Sequence, residues 1–399
     1  MEIWRQKLVL KNIKSFITIF EKKGMNFNMN SYKLKLLEGI AIVLTILLSH
    51  ILLSVPSELA TTTASATLLN IVFVTIITLI FFLIIYKLFS LFPGCNIIDI
   101  SEFLGGKVFK FIYGVCYIAY ILVLSSIMIR LFAEGLALIS FSHIDIDFIM
   151  LLFVIAVGIL NTFGLKAISR LNLIIIPLMV LSIVFIFFGS FGEYTFQRVF
   201  PLLGYGIKET FVDGISNIYS FSGLYVLFFI FPLLTKISEF KKVGITSILS
   251  YSFFLLLSVA ALLFSIPQIA NTTSPLSLYV LARQITLGDY IQSIDAIFLL
   301  IWIPFMLAYL STNIHFALTT FKQLTNIKYI SGVVYCFCAV IFVIALVVKN
   351  MPEINILSNV VYKYLSIGFV FVFSLVILIL ACIKKLILKL LKKEATLNV

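Results

Sequence analysis

Long apolar stretches, separated by short polar segments, fill almost all of this 399-residue chain. A helix that crosses the hydrocarbon core of a bilayer needs roughly 20 mostly apolar residues. Counted on that scale, the pattern predicts spans at about 38–57, 68–92, 108–139, 147–163, 168–191, 212–235, 245–267, 291–320, 330–349 and 359–383. Ten spans divide as five plus five, and an odd number per half makes the second half enter the membrane from the opposite side. Two spans carry matching polar interruptions. The stretch from Gly39 to Leu53 is cut by Ser49-His50 and closed by Ser54-Val55-Pro56-Ser57, and the stretch from Ile215 to Leu234 is cut by Ser220-Phe221-Ser222-Gly223. Irregular backbone at membrane depth survives only where it is buried in protein or lines a cavity. Paired breaks in the two halves therefore point to a binding site near the membrane midplane. The expected fold is an all-α integral membrane protein, a 5+5 inverted repeat with discontinuous spans one and six.

Composition agrees with this class. The chain is 62% hydrophobic and only 12% charged, far from the roughly 25% charged residues of soluble domains. The net charge of +12 is not a nucleic-acid signal, because its distribution has another explanation. With both termini placed in the cytoplasm, 23 of the 29 Lys and Arg residues fall on that side and six on the other. That is the positive-inside asymmetry of a membrane protein, with basic residues touching anionic lipid. Residues 1–37 form a basic segment without the apolar core of a cleavable signal peptide. Trp4, Leu8, Ile13, Phe16 and Phe20 recur there at helical spacing among lysines, so the segment is either an interfacial helix or a disordered tail. The membrane domain is read as 38–385, followed by a basic tail over 386–399. Five cysteines without a CxxC pair, and His50, His143 and His315 without ligand spacing, point to no metal or other cofactor. No phosphate loop, nucleophile elbow or HExxH motif occurs, so no enzyme is expected.

Several motifs stand in a characteristic order. They are Phe92-Pro93-Gly94 with Gly105-Gly106-Lys107, Arg170-Leu171 with Pro177, and Phe200-Pro201-Leu202-Leu203-Gly204 with Gly206. Ser274-Pro275-Leu276 follows, with Arg283, Gly288, Asp295 and Ile301-Trp302. The series resembles the B subunit of endospore germinant receptors, within the amino acid–polyamine–organocation transporter superfamily, over roughly residues 35–385. The resemblance implies nutrient sensing in the inner membrane of a spore, beside an A subunit and a lipoprotein C subunit. It departs from the family where Ser49-His50-Ile51 replaces Gly-Ala-Gly, and where Leu224-Tyr225 replaces a glutamate after the sixth-span glycine. Gln292-Ser293 likewise stands where the family has Glu-Arg.

The expected ligand is a small nutrient, an amino acid by preference. A broken helix offers amide N–H groups to a carboxylate and carbonyls to an ammonium. Candidate ligand contacts are Ser49, His50 and Ser54 in the first span, and Ser220, Ser222 and Gly223 in the sixth. The third span adds Tyr120 and Leu124, positions that match the family's cavity-facing residues, on one face with Cys116 and Ile127. The eighth adds Phe305, Tyr309 and Thr312, with Pro304 expected to kink the helix and Asn313 in need of a partner within the bundle. Helical serines and threonines commonly bond back to their own carbonyls, so Ser311 and Thr312 also have a purely structural reading. His50 either makes the ligand response pH-dependent or bonds a neighbouring carbonyl. Glu58, Arg130, Glu134 and Asp295 are candidate gate or interface residues, Arg130 and Glu134 at pairing distance along one helix. The rival reading is a secondary transporter of an amino acid or amine with ion coupling.

Overall fold

The computed structural model describes residues 32–52, 55–139, 143–266, 277–285, 295–327, 331–348, 353, 357–358 and 360–397. Among them seven helices are long and apolar enough to cross a membrane, and the shorter apolar helices Leu36–Leu52, Ile146–Thr162 and Gly332–Val347 bring the set to the expected ten. The first span is Leu36–Leu52 continued by Val55–Thr63, the second Thr67–Phe89, the third Ile97–Ile139 and the fourth Ile146–Thr162. The fifth is Leu165–Gly189, the sixth Ile207–Leu233, the seventh Ile237–Ser265 and the eighth Asp295–Thr325. Ser331–Val347 forms the ninth and Val361–Leu390 the tenth, whose helix runs on to Leu397 through the basic tail.

The inversion of the two halves is visible at both ends of the first and sixth spans. At the lysine-rich end, the Leu34 N–H donates to the Leu233 carbonyl (3.0 Å) and Lys33 Nζ to the Pro232 carbonyl (2.9 Å). There the start of span one meets the end of span six. At the opposite end the relation is reversed, and Asn217 Nδ2 near the start of span six donates to Thr62 Oγ1 at the end of span one (2.9 Å). The leading helices of the two halves therefore cross in opposite directions.

Lipid tails are as apolar as leucine, so packing and interhelical hydrogen bonds, more than the hydrophobic effect, join these spans. Asn70, fully buried in the second span, is the clearest case. Its Nδ2 donates to the carbonyls of Thr210 (2.8 Å) and Gly214 (3.0 Å), and its Oδ1 accepts from Asn217 (2.7 Å). Asn70→Ala leaves these groups buried without partners and is expected to cost about 2–3 kcal/mol. A fall in the midpoint of thermal unfolding in detergent checks it, with Thr61→Ala at an exposed position as the unaffected control.

Three elements differ from the sequence expectation. The first span is not cut at Ser49-His50. The helix runs through both residues to Leu52, because Ser49 Oγ bonds back to the Ile46 carbonyl (2.8 Å) and is satisfied inside the helix. Ser54 lies outside the described residues. The sixth span is not unwound at Ser220–Gly223 either. It changes helix type, running as a 3-10 helix over Asp213–Val226 before returning to α-helix. The third-span helix begins earlier than expected, with a short arm Ile97–Gly105 set off by Gly106 in a left-handed conformation (φ 73°) that a side chain would strain.

The tenth span is π-helical over Val361–Leu365 and Ile367–Phe373. Ser366 Oγ bonds the Val361 carbonyl and Ser374 Oγ the Phe369 carbonyl, each five residues back, the spacing of a widened turn. A short helix, Ser277–Gln284, lies between spans seven and eight, with Leu278, Leu281 and Ala282 buried.

Candidate functional site

Helix type decides which residues of the sixth span share a face. In a 3-10 helix residues three apart eclipse, so Tyr219, Ser222 and Tyr225 form one line and Asn217, Ser220 and Gly223 another. The second line is structural. Asn217 joins the Asn70 network, Ser220 Oγ bonds back to the Asn217 carbonyl (2.8 Å), and the Ser220 carbonyl accepts from Tyr251 (2.8 Å). Gly223 abuts the first span so closely that a Cβ there would lie 3.0 Å from Ile46 Cγ2 and 3.2 Å from the Ile46 carbonyl carbon. A side chain there has to push Ile46 and Leu47 back, by a few tenths of an ångström even for a single Cβ.

The first line faces a cluster of tyrosines. Tyr225 donates its hydroxyl to Asn313 Oδ1 on the eighth span, the bundle partner that Asn313 requires. The Tyr225 ring meets Tyr120 edge-on at 5.7 Å and Tyr117 at 6.2 Å, both from the third span. Tyr309, one turn before Asn313, lies beside both the Asn313 amide and the Tyr362 hydroxyl. Tyr362, in the π-helical turn of the tenth span, packs edge-on against His50 at 5.0 Å. Tyr120 donates to Ser366 Oγ (3.0 Å), which ties the third span to the same turn. Five spans thus converge on one polar centre, and all of these side chains are buried.

The centre is incompletely satisfied. Tyr117 OH, Ser222 Oγ, Asn313 Nδ2 and Tyr362 OH are buried with no hydrogen-bond partner of good geometry. Buried polar groups are paired in the great majority of cases, and each exception calls for an explanation. The set combines hydroxyls, which can donate or accept, with an amide N–H donor. It suits a small molecule carrying both acceptor and donor groups.

The structure therefore brings together His50, Tyr120 and Tyr309 from the sequence-based candidates, and Ser222 is buried on the same line of the sixth span as Tyr225. Leu124 is buried one turn from Tyr120, and Phe305 is buried one turn from Tyr309. Thr312 faces elsewhere, accepting from Asn172 Nδ2 of the fifth span (3.1 Å) and donating to the Ala308 carbonyl (2.7 Å). Ser49, Ser220 and Gly223 serve packing and backbone satisfaction, as described above. Cys116, expected on the inner face of the third span, is exposed, and Tyr117 one residue on is buried in its place. Tyr225, Tyr362 and Ser366 were not anticipated. The available signal was a polar residue inside an apolar run, which does not by itself say which way it points.

Nearer the end away from the lysines, Tyr219 donates to Glu58 Oε2 (2.9 Å) and so joins the sixth span to the second piece of the first. Arg130 and Glu134 pair as expected (2.7 Å), with Arg130 Nη1 also 3.6 Å from Asp147 Oδ1. Asp295 opens the eighth-span helix, and its side chain lies outside the described residues.

Comparison with known proteins agrees with this architecture. A Na+-coupled sialic acid symporter, solved in a substrate-bound outward-open state, matches 90% of this chain and 86% of its own with a TM-score of 0.60 and 13% identity. The chain thus has the fold of a transporter. The spore germination protein GerQB of Bacillus cereus is 23% identical over 298 residues, covering 73% of this chain and 79% of that protein. The family model described as spore germination protein matches residues 33–354, which include the first, third, sixth and eighth spans of the tyrosine centre. The chain belongs to the spore germination protein family.

Proposed function

We propose that this protein is the membrane-embedded B-type subunit of a nutrient receptor in the spore inner membrane. It binds a small polar metabolite, an amino acid by preference, and signals to partner A and C subunits. The observation that carries this reading is the tyrosine centre, where four buried polar atoms from four spans have no hydrogen-bond partner of good geometry. An amino acid supplies acceptors to the hydroxyls and the amide, and its ammonium can lie against tyrosine rings. Binding favours one arrangement of the bundle by its differential affinity for the two states. Glu58–Tyr219 on one side and the Leu34–Leu233 contact on the other are the gates between those states. Both termini lie in the cytoplasm, with 1–37 as a basic segment, 38–385 as the membrane domain and 386–399 as a basic tail. The family and the transporter fold favour a membrane receptor or permease over an enzyme.

The fold equally suits a secondary transporter of an amino acid or amine, which would accumulate its substrate. Deleting the gene and measuring dipicolinic acid release across a panel of nutrients tests the receptor reading. Loss of the response to particular nutrients is expected. Germination unchanged for every nutrient, in a strain without a second receptor of this family, would contradict it.

A further inference from the structure

We propose that the connection between the fifth and sixth spans lies within the headgroup layer of the bilayer, as an aromatic rim that seats this end of the bundle in lipid. Three hydrogen-bonded ties set its height. Tyr194 donates to the Phe187 carbonyl near the end of span five (2.5 Å). The Thr195 N–H (2.9 Å) and Arg198 Nη1 (2.6 Å) both donate to the Phe264 carbonyl in the last turn of span seven. Ser65, in the turn between spans one and two, donates to the Pro201 carbonyl (2.5 Å). A segment tied to the ends of these spans runs around the bundle at the depth where the spans stop, and does not rise far above it.

Its side chains are the reverse of what water selects. Phe191, Phe196, Phe200, Leu202, Tyr205 and Ile207 are each between 56% and 68% exposed. Contiguous apolar surface of this kind marks a contact with a protein or a membrane. Continuity favours the membrane. Leu181, Phe185 and Phe188 form the exposed stripe of the fifth span, and the apolar surface passes from Phe188 to Phe191 within one turn's length of chain. Aromatic rings concentrate at the level where hydrocarbon gives way to headgroups. Exposed Lys208, in the first turn of span six where the connection ends, suits lipid phosphate there.

The test uses the full-length protein in phosphatidylcholine vesicles whose acyl chains carry a doxyl quencher at a shallow or a deep carbon. Phe200→Trp and Tyr205→Trp are two reporters on the rim, and Leu181→Trp is the mid-span control. The fluorescence of the parent, from Trp4 and Trp302, is subtracted. Rim reporters are expected to be quenched about twofold more by the shallow label than by the deep one, with the order reversed at position 181. Rim reporters quenched by neither label but readily by aqueous iodide would overturn the proposal. The connection would then stand in water, as a face awaiting a protein partner would. Stronger quenching by the deep label would overturn it as well.

Discussion

Tyr225→Phe is expected to weaken the nutrient response about tenfold in half-maximal concentration, the equivalent of about 1.4 kcal/mol. The substitution removes one oxygen and changes the shape of the side chain very little. It takes the Tyr225 donor from the Asn313 side-chain oxygen, and the Asn313 Nδ2 has no hydrogen-bond partner of good geometry to make up for it. An unpaired buried polar group costs about 1–3 kcal/mol. The protein can lower that cost by turning Asn313 away, which removes it from the ligand. The double variant Tyr225→Phe/Asn313→Leu separates recognition from stability. Replacing both partners by apolar groups of similar shape is nearly neutral for folding, so its thermal midpoint should approach that of the parent while the response stays lost. Recovery of the response in the double variant would mean that the pair only holds the sixth and eighth spans together.

Gly223→Leu is expected to abolish the response and to lower stability by about 3 kcal/mol, at the upper end of the cost of overpacking. The two leading spans meet at Gly223, where the nearest atoms are Ile46 Cγ2, Leu47 Cδ2 and the Ile46 backbone carbon. Gly223→Ala needs its neighbours to give by only a few tenths of an ångström and should keep a reduced response. A leucine has to push the sixth span off the first, and it carries Tyr219, Ser222 and Tyr225 with it. A leucine variant with normal response would show that close approach of these spans is not needed for signalling. Dose–response curves for dipicolinic acid release, with protein level checked by immunoblot, measure both variants.

Much of the architecture was legible in residue pattern. Ten spans follow from apolar length, and the Arg130–Glu134 pair from helical spacing. The site was legible only in part, for reasons of helical period. Ser220 through Gly223 reads as a break when 3.6 residues per turn is assumed, and that hides the line of Tyr219, Ser222 and Tyr225 made by a period of three. The same one-residue ambiguity put Cys116 on the inner face of the third span in place of Tyr117, since adjacent helical positions differ by about 100°. In the tenth span the π-helical turns turn Tyr362 and Ser366 inward, a choice that depends on the Tyr120 and Val361 partners and not on local sequence. Ser49-His50 was overread as an interruption of the first span. Ser49 satisfies its own hydroxyl within the helix and does not interrupt it.

In the function proposed above, a nutrient binds at the tyrosine centre and is not carried across the membrane. The most direct measurement uses purified parent and Tyr225→Phe proteins in vesicles, with a radiolabelled nutrient that the deletion strain no longer senses. Saturable binding by the parent, about tenfold weaker binding by the variant, and no accumulation inside the vesicles under an imposed ion gradient are expected. Equal affinity in the two proteins, or accumulation above the external concentration, would contradict it.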